Sequence, residues 1–139
     1  MYICIKDFSL QFIFAEASLK SPGQRARLVS PVYEAEDGAC LKVRVLMAGA
    51  DVGPLSVGQT SETDDSEESI LGTITGNYGE KWQEFLVDLT VTETSFQLFL
   101  EAVIGPSYLG DIAVDDIQLL TKEKCEKVKR LRHYDITYK

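Results

Sequence analysis

Histidine is almost missing from this sequence: His133 is the only one, and it stands beyond the last apolar segment. An imidazole placed there is badly positioned to activate a serine or cysteine, which nearly excludes Ser-His-Asp and Cys-His chemistry. Neither G-x-x-x-x-G-K-[ST] nor G-x-G-x-x-G occurs, so the common phosphate-cradling loops are lacking too. No apolar run approaches the roughly eighteen residues of a membrane span. The only asparagine, Asn77, precedes Tyr78-Gly79, so no N-x-[ST] glycosylation site is present. Cysteine is scarce. Cys4, Cys40 and Cys125 cannot all pair within one chain, and without a C-x-x-C they carry no zinc or thioredoxin signature. Ala15-Glu16-Ala17 resembles a signal-peptide cleavage site, yet Lys6 and Asp7 interrupt the apolar stretch before it and no basic region leads in.

What remains is a soluble, acidic composition. A chain of 139 residues with 45% hydrophobic content suits one domain with a real core. The net charge of −8 is unevenly spread. Residues 122–139 carry seven basic side chains against three acids, a net of +4 that leaves −12 on the rest. An acidic body argues against nucleic-acid binding, which needs a basic face for phosphates. The basic tail reads as a solvated linker, with acidic lipids or glycans as the alternative contacts.

Apolar and polar residues alternate with a period of two in many short segments. "CLKVRV" places Leu41, Val43 and Val45 on one face and Lys42 and Arg44 on the other, as in a half-buried antiparallel strand. Eight strands are predicted: Leu10–Glu16, Ala26–Ser30, Cys40–Ala48, Leu55–Gln59, Ile70–Thr75, Trp82–Thr90, Ser95–Ile104 and Asp111–Leu120. Turn residues such as Gly53-Pro54, Gly76-Asn77 and Gly105-Pro106 separate them. Short strands at near-regular spacing indicate an all-β sandwich or barrel.

Two acidic stretches need an explanation. "SETDDSEES", Ser61 to Ser69, is expected to be a hydrated loop, because its spacing lacks the glycine and ligand pattern of a calcium-binding EF-hand. "GDIAVDDIQLL" puts Asp111, Asp115 and Asp116 in a strand that otherwise looks buried. A glycosidase needs only two carboxylates at a suitable separation, and Glu101 with Asp111 or Asp115 is the candidate pair. The structural alternative is that these acids accept hydrogen bonds from strand-end and loop amides.

Several segments in order, "FIFAEAS", "ARLVSP", "CLKVRVLMAGADVGPLSV", "WQEFLVDL", "FQLFLEAVIG" and "GDIAVDDIQL", followed by Cys125, resemble a MAM domain of the meprin, A5 and receptor tyrosine phosphatase mu type. The resemblance covers about Phe12 to Cys125. It implies a jelly-roll β-sandwich of two antiparallel sheets and a Cys40–Cys125 disulfide, hence an oxidising setting, extracellular or in the ectodomain of a membrane protein. Cys4 is then left as a free thiol. Such a domain normally opens with a cysteine pair and an acidic-aromatic segment about thirty residues before the "EAS" strand. The chain is therefore expected to divide into an atypical segment 1–9, a partial MAM-like domain 10–125 lacking its first strands, and a basic tail 126–139. Some members hold a structural cation, so Asp111, Asp115 and Asp116, with Glu101, are candidate Ca²⁺ ligands. Amide capping and plain solvent exposure are the other two roles open to these acids.

The implied function is a non-enzymatic interaction or adhesion module that contacts other extracellular proteins or its own copies, needs no cofactor, and neither binds nucleic acid nor inserts in membrane. Carbohydrate binding is the second reading, because jelly rolls also serve as lectins. The aromatics for it are Tyr33, Tyr78 and Tyr108 in loops, with Trp82 expected in the core. The third reading is a shortened domain with no function of its own.

Overall fold

Side chains that alternate between faces need two layers to bury the apolar one, and two sheets provide them. The computed structural model describes residues 2–5, 11–15, 21–34, 38–61, 64–90 and 94–137; side chains at 2–5, 11, 64–66 and 133–137 lie outside that description. In chain order the strands are β1 (Tyr2–Ile5), β2 (Gln11–Ala15), β3 (Arg25–Val29), β4 (Cys40–Ala48), β5 (Leu55–Ser61), β6 (Asp64–Ile74), β7 (Gln83–Asp88), β8 (Phe96–Val103) and β9 (Asp111–Leu120). Helix α1 (Lys122–Thr137) follows.

One sheet runs β1-β2-β9-β4-β7 and the other β3-β8-β5-β6, with every pairing antiparallel. The pairs β2–β9, β3–β8, β4–β7 and β5–β6 are nested, as if one long hairpin had been folded across both layers. That nesting defines a jelly-roll β-sandwich. The core lies between the layers. Leu41, Val43, Val45 and Met47 of β4, with Ile112 and Val114 of β9, meet Leu55 and Val57 of β5 and Phe96, Leu98, Leu100 and Ala102 of β8. These are the faces that the alternation in "CLKVRV" and "FQLFLEAV" predicts.

Three expectations change, and one segment whose role the sequence left open gains a strand. From Asp64 onward the acidic run is strand: β6 begins there, and Ser69 and Glu68 pair with Gln59 and Thr60 of β5. Backbone pairing and an arginine partner for Glu68 outweigh the mutual repulsion of the acids. Within segment 1–9, Tyr2–Ile5 forms β1, which pairs with β2 from Tyr2↔Phe14 to Ile5↔Gln11. Trp82 is not in the core. It is half-buried on the outer side of the five-stranded sheet, edge-on to Phe12 at 6.2 Å between ring centroids and 5.6 Å from the guanidinium of Arg44.

The basic tail, last, is helical and docked. The Thr121 hydroxyl accepts a hydrogen bond from the Lys124 amide at 3.4 Å, and the Cys125 amide donates to the Thr121 carbonyl at 2.9 Å, so Thr121 caps the helix. Lys129 then pairs with Asp88, and Arg132 with Glu84, both on β7. Cys125 and Val128 pack with Cys40, Leu120 and Leu86 in a small second cluster under the helix. Lysine, arginine and glutamate are good helix formers, and the capping threonine was the signal available in the sequence.

Candidate interaction surface

Alternation in "RARLV" sends Ala26 and Leu28 inward and leaves Arg25 and Arg27 on the outer face of the four-stranded sheet. Their register partners on β8 are Val103 and Glu101 respectively. Glu101 is therefore an outward carboxylate, yet it is only 6% exposed. Arg25 donates to one of its oxygens at 2.8 Å, while Arg27 donates to the other through Nη2 at 2.6 Å and Nε at 2.9 Å. Two arginine partners hold the buried charge that a sheet face would otherwise leave unpaid by water.

Arg27 also reaches across the sheet. Its Nη1 lies 2.5 Å from Glu68 on β6, beyond β8 and β5. It passes over the ring of Phe99, and the ring lies where Gly58 of β5 has no side chain: a Cβ on Gly58 would fall 2.0 Å from Phe99 Cζ. The hydrogen bond from Arg27 holds the Glu68 carboxyl below its ordinary pKa of 4.5. The same two carboxylates push the Arg27 guanidinium above its ordinary value, Glu68 contributing most.

The candidate acids are not brought together. Glu101 is outward on one sheet; Asp111 and Asp115 are outward on the other, where Asp115 is the register partner of Arg44. The sandwich separates them, so the Glu101 pairings considered for glycoside chemistry are not made. Among the described residues no group of three His, Cys, Asp or Glu side chains converges, and Glu101 lies on the other sheet from Asp111, Asp115 and Asp116. Asp115 instead accepts a hydrogen bond from the Asp116 amide at 2.7 Å, and Asp116 accepts one from the Gln118 side chain at 2.6 Å. Asp111 is exposed.

Asp116 explains the mixed faces of this strand. It adopts φ +49°, and the register shifts between Lys42↔Gln118 and Arg44↔Asp115, so two β9 residues stand opposite Val43. This β-bulge switches the inward set from Ile112 and Val114 to Leu119. Aspartate is one of the few non-glycine residues that tolerates a left-handed backbone.

Cys40 and Cys125 form a disulfide with S–S 2.04 Å and Cα–Cα 6.1 Å, tying the start of β4 to the first turn of α1. Cys4 sits in β1 opposite Phe12; its side chain lies outside the described residues. The aromatics weighed for glycan contact do not form a platform. Tyr33 packs on Phe96 at 5.9 Å, the Tyr78 hydroxyl donates to the Thr75 carbonyl, and Tyr108 alone is widely exposed, at 69%.

Comparison with known proteins decides the family. The family model described as MAM domain, meprin/A5/mu matches residues 6–126. The chain belongs to the MAM domain family. It is 38% identical to neuropilin-1 of Xenopus laevis over 107 residues, covering 76% of this chain and 12% of that protein. It is 36% identical to human MAM domain-containing glycosylphosphatidylinositol anchor protein 1 over 118 residues, covering 84% of this chain and 12% of that protein. The chain thus spans about one eighth of the length of these relatives. A solved structure of similar fold is the K1 cleaved adhesin domain of Lys-gingipain from Porphyromonas gingivalis W83, with TM-score 0.60 and 18% identity over 81% of this chain and 75% of that one. MAM membership and the disulfide together make this an extracellular or ectodomain module. Among the described residues no helix is long and apolar enough to cross a membrane.

Proposed function

We propose that this MAM domain is a non-enzymatic interaction module, making protein–protein contacts in adhesion with other extracellular proteins or with its own copies. The observation that carries the reading is where its conspicuous acids go. Glu101 is clamped by Arg25 and Arg27, and Asp115 and Asp116 bond to the β9 bulge, so each serves the frame of the sheet. A carboxylate used as a general acid or nucleophile has to face a substrate instead. The relative named for a glycosylphosphatidylinositol anchor supports a place at the cell surface. No cofactor enters the proposal.

The test is binding of the immobilised chain to a panel of ectodomains and to itself, with turnover assays alongside. Saturable contact without turnover is expected. Hydrolysis of any glycan that disappears in Glu101→Gln or Asp115→Asn would overturn the reading. Contact that vanishes in EDTA and returns with Ca²⁺ would reopen Asp111, Asp115 and Asp116 as cation ligands.

A further inference from the structure

Helix α1 has two unlike sides. Cys125, Val128, Lys129 and Arg132, at i, i+3, i+4 and i+7, share the side that meets the sandwich. The disulfide to Cys40 ties down the first turn, and the ion pairs Lys129–Asp88 and Arg132–Glu84 tie down the turns after it. Arg132 also donates to the Glu84 carbonyl at 3.2 Å. Anchored at three points, the helix keeps the rest of its circumference turned to solvent.

That circumference is rich in cations. Lys122, Lys124, Lys127 and Arg130 are exposed, as are Glu123 and Glu126 among them, and Leu131 is 61% exposed. Four cations against two carboxylates leave a net +2, once Lys129 and Arg132 are set against their partners. Residues 1–121 carry a net −12. The excess positive charge is thus gathered on one helix beside an acidic body.

Lys124, Lys127 and Arg130 recur at every third residue, so they step along the helix axis by about 4.5 Å each. Such a ladder suits a linear polymer with anions at short, regular intervals. Glu123 and Glu126 stand one turn before Lys127 and Arg130, where exposed pairs hold weakly and yield to a denser anion. The setting then chooses among polyanions. MAM membership and the Cys40–Cys125 disulfide put the chain on the extracellular side. Anionic lipids are enriched in the cytoplasmic leaflet, and nucleic acid is chiefly intracellular. Sulfated polysaccharides of the cell surface and matrix remain, and clustered lysine and arginine are the side chains that hold them.

We propose that the solvent side of α1, through Lys124, Lys127 and Arg130, binds a sulfated polysaccharide. Sulfate groups meet the three cations in turn, while the acidic body repels the polymer from other approaches. This contact is independent of the protein-contact reading and adds a glycan partner that needs no aromatic platform.

The probe is a heparin octasaccharide, titrated into the ¹⁵N-labelled, oxidised full chain at about 50 mM and about 150 mM salt. Saturable binding is expected, weaker at the higher salt, with shifts centred on Lys122–Arg132. Lys124→Ala/Lys127→Ala/Arg130→Ala should weaken it at least about tenfold. Alanine is a good helix former, so the helical circular dichroism of that variant should be unchanged. Lys81→Ala, exposed between β6 and β7, should bind like the unmodified chain. Glu123→Gln/Glu126→Gln should tighten binding severalfold, a gain that misfolding cannot mimic. Desulfated heparin should not bind. A chondroitin sulfate arm distinguishes the polymer, and preference for either sulfated chain upholds the proposal. Shifts that map away from α1, equal affinity in the triple variant, or undiminished binding of the desulfated oligosaccharide would each overturn it. So would equal affinity for phosphatidylserine vesicles or single-stranded DNA, which would make the helix a general polyanion contact.

Discussion

The guanidinium carbon of Arg27 lies 3.9 Å from the centroid of the Phe99 ring. Phe99 points to the outside of its sheet, yet it is 3% exposed, because Gly58 leaves a floor for the ring and Arg27 covers it. The outer surface of the sandwich is therefore layered like a small core, with Glu101 and Glu68 fixing the arginine at either end. Stacking of this kind joins hydrophobic cover to cation–π attraction.

Gly58→Val tests the floor. The new side chain would occupy the position of the ring, driving Phe99 outward and taking the platform from Arg27. A loss of about 2 kcal/mol is expected, within the range for overpacked sites. Urea unfolding with an unchanged slope and a lower midpoint is the signature.

Glu101→Gln removes the charge that gathers Arg25 and Arg27. The two arginine side chains are 66% and 33% exposed and can turn to water, so the loss should be about 1–2 kcal/mol, well below that of breaking a fully buried pair. An unchanged midpoint in chemical denaturation would contradict the clamp.

Acid should loosen the far end of the same arginine. The Glu68 carboxyl is held below its ordinary value in the folded chain, so folding favours its ionised form. Its contribution is complete above the ordinary carboxylate range and disappears as pH falls through the lowered folded value. Melting temperatures followed downward from neutral pH should fall less steeply in Glu68→Gln than in the unmodified chain. Identical slopes would remove Glu68 from the acid response.

Asp116 can be probed by geometry alone. At φ +49° an alanine would be strained, and Asp116→Ala should cost about 1 kcal/mol. Asp116→Gly relieves the steric part and should lie closer to the unmodified stability. Equal losses in both variants would point to the Gln118 hydrogen bond in place of the backbone.

Reduction should be felt throughout the chain. The Cys40–Cys125 link spans 85 residues of sequence, and on the chain-entropy estimate it stabilises by about 4 kcal/mol. Unfolding of Cys40→Ala/Cys125→Ala beside the oxidised chain measures it directly. A difference under about 1 kcal/mol would place the stabilisation elsewhere.

Strand bounds could be read where aliphatic residues concentrate, so β4 and β9 match their predicted bounds, and strict alternation gives the inward sets of β4 and β8. What could not be read depends on neighbours distant in the chain. The acids of β6 look like a hydrated loop until Arg27, 41 residues from Glu68, is placed beside them. Glu101 looks like a ligand for a cation until two arginines on β3 take both its oxygens. The bulge at Asp116 hides in the sequence because a single extra residue changes faces without changing composition. Helix α1 was the exception, since Thr121 and its helix-forming successors were local signals and the charge count obscured them.

Nested pairing has a cost in time. Ile13 of β2 meets Val114 of β9, and Arg25 meets Val103, so much of the sandwich joins residues from opposite ends of the chain. A polypeptide leaving the ribosome from its N-terminus must keep these early strands idle until their mates emerge. High contact order of this sort slows folding and prolongs exposure of sticky edges. Cys40 likewise waits 85 residues for Cys125, so the disulfide can close only after most of the sandwich has emerged.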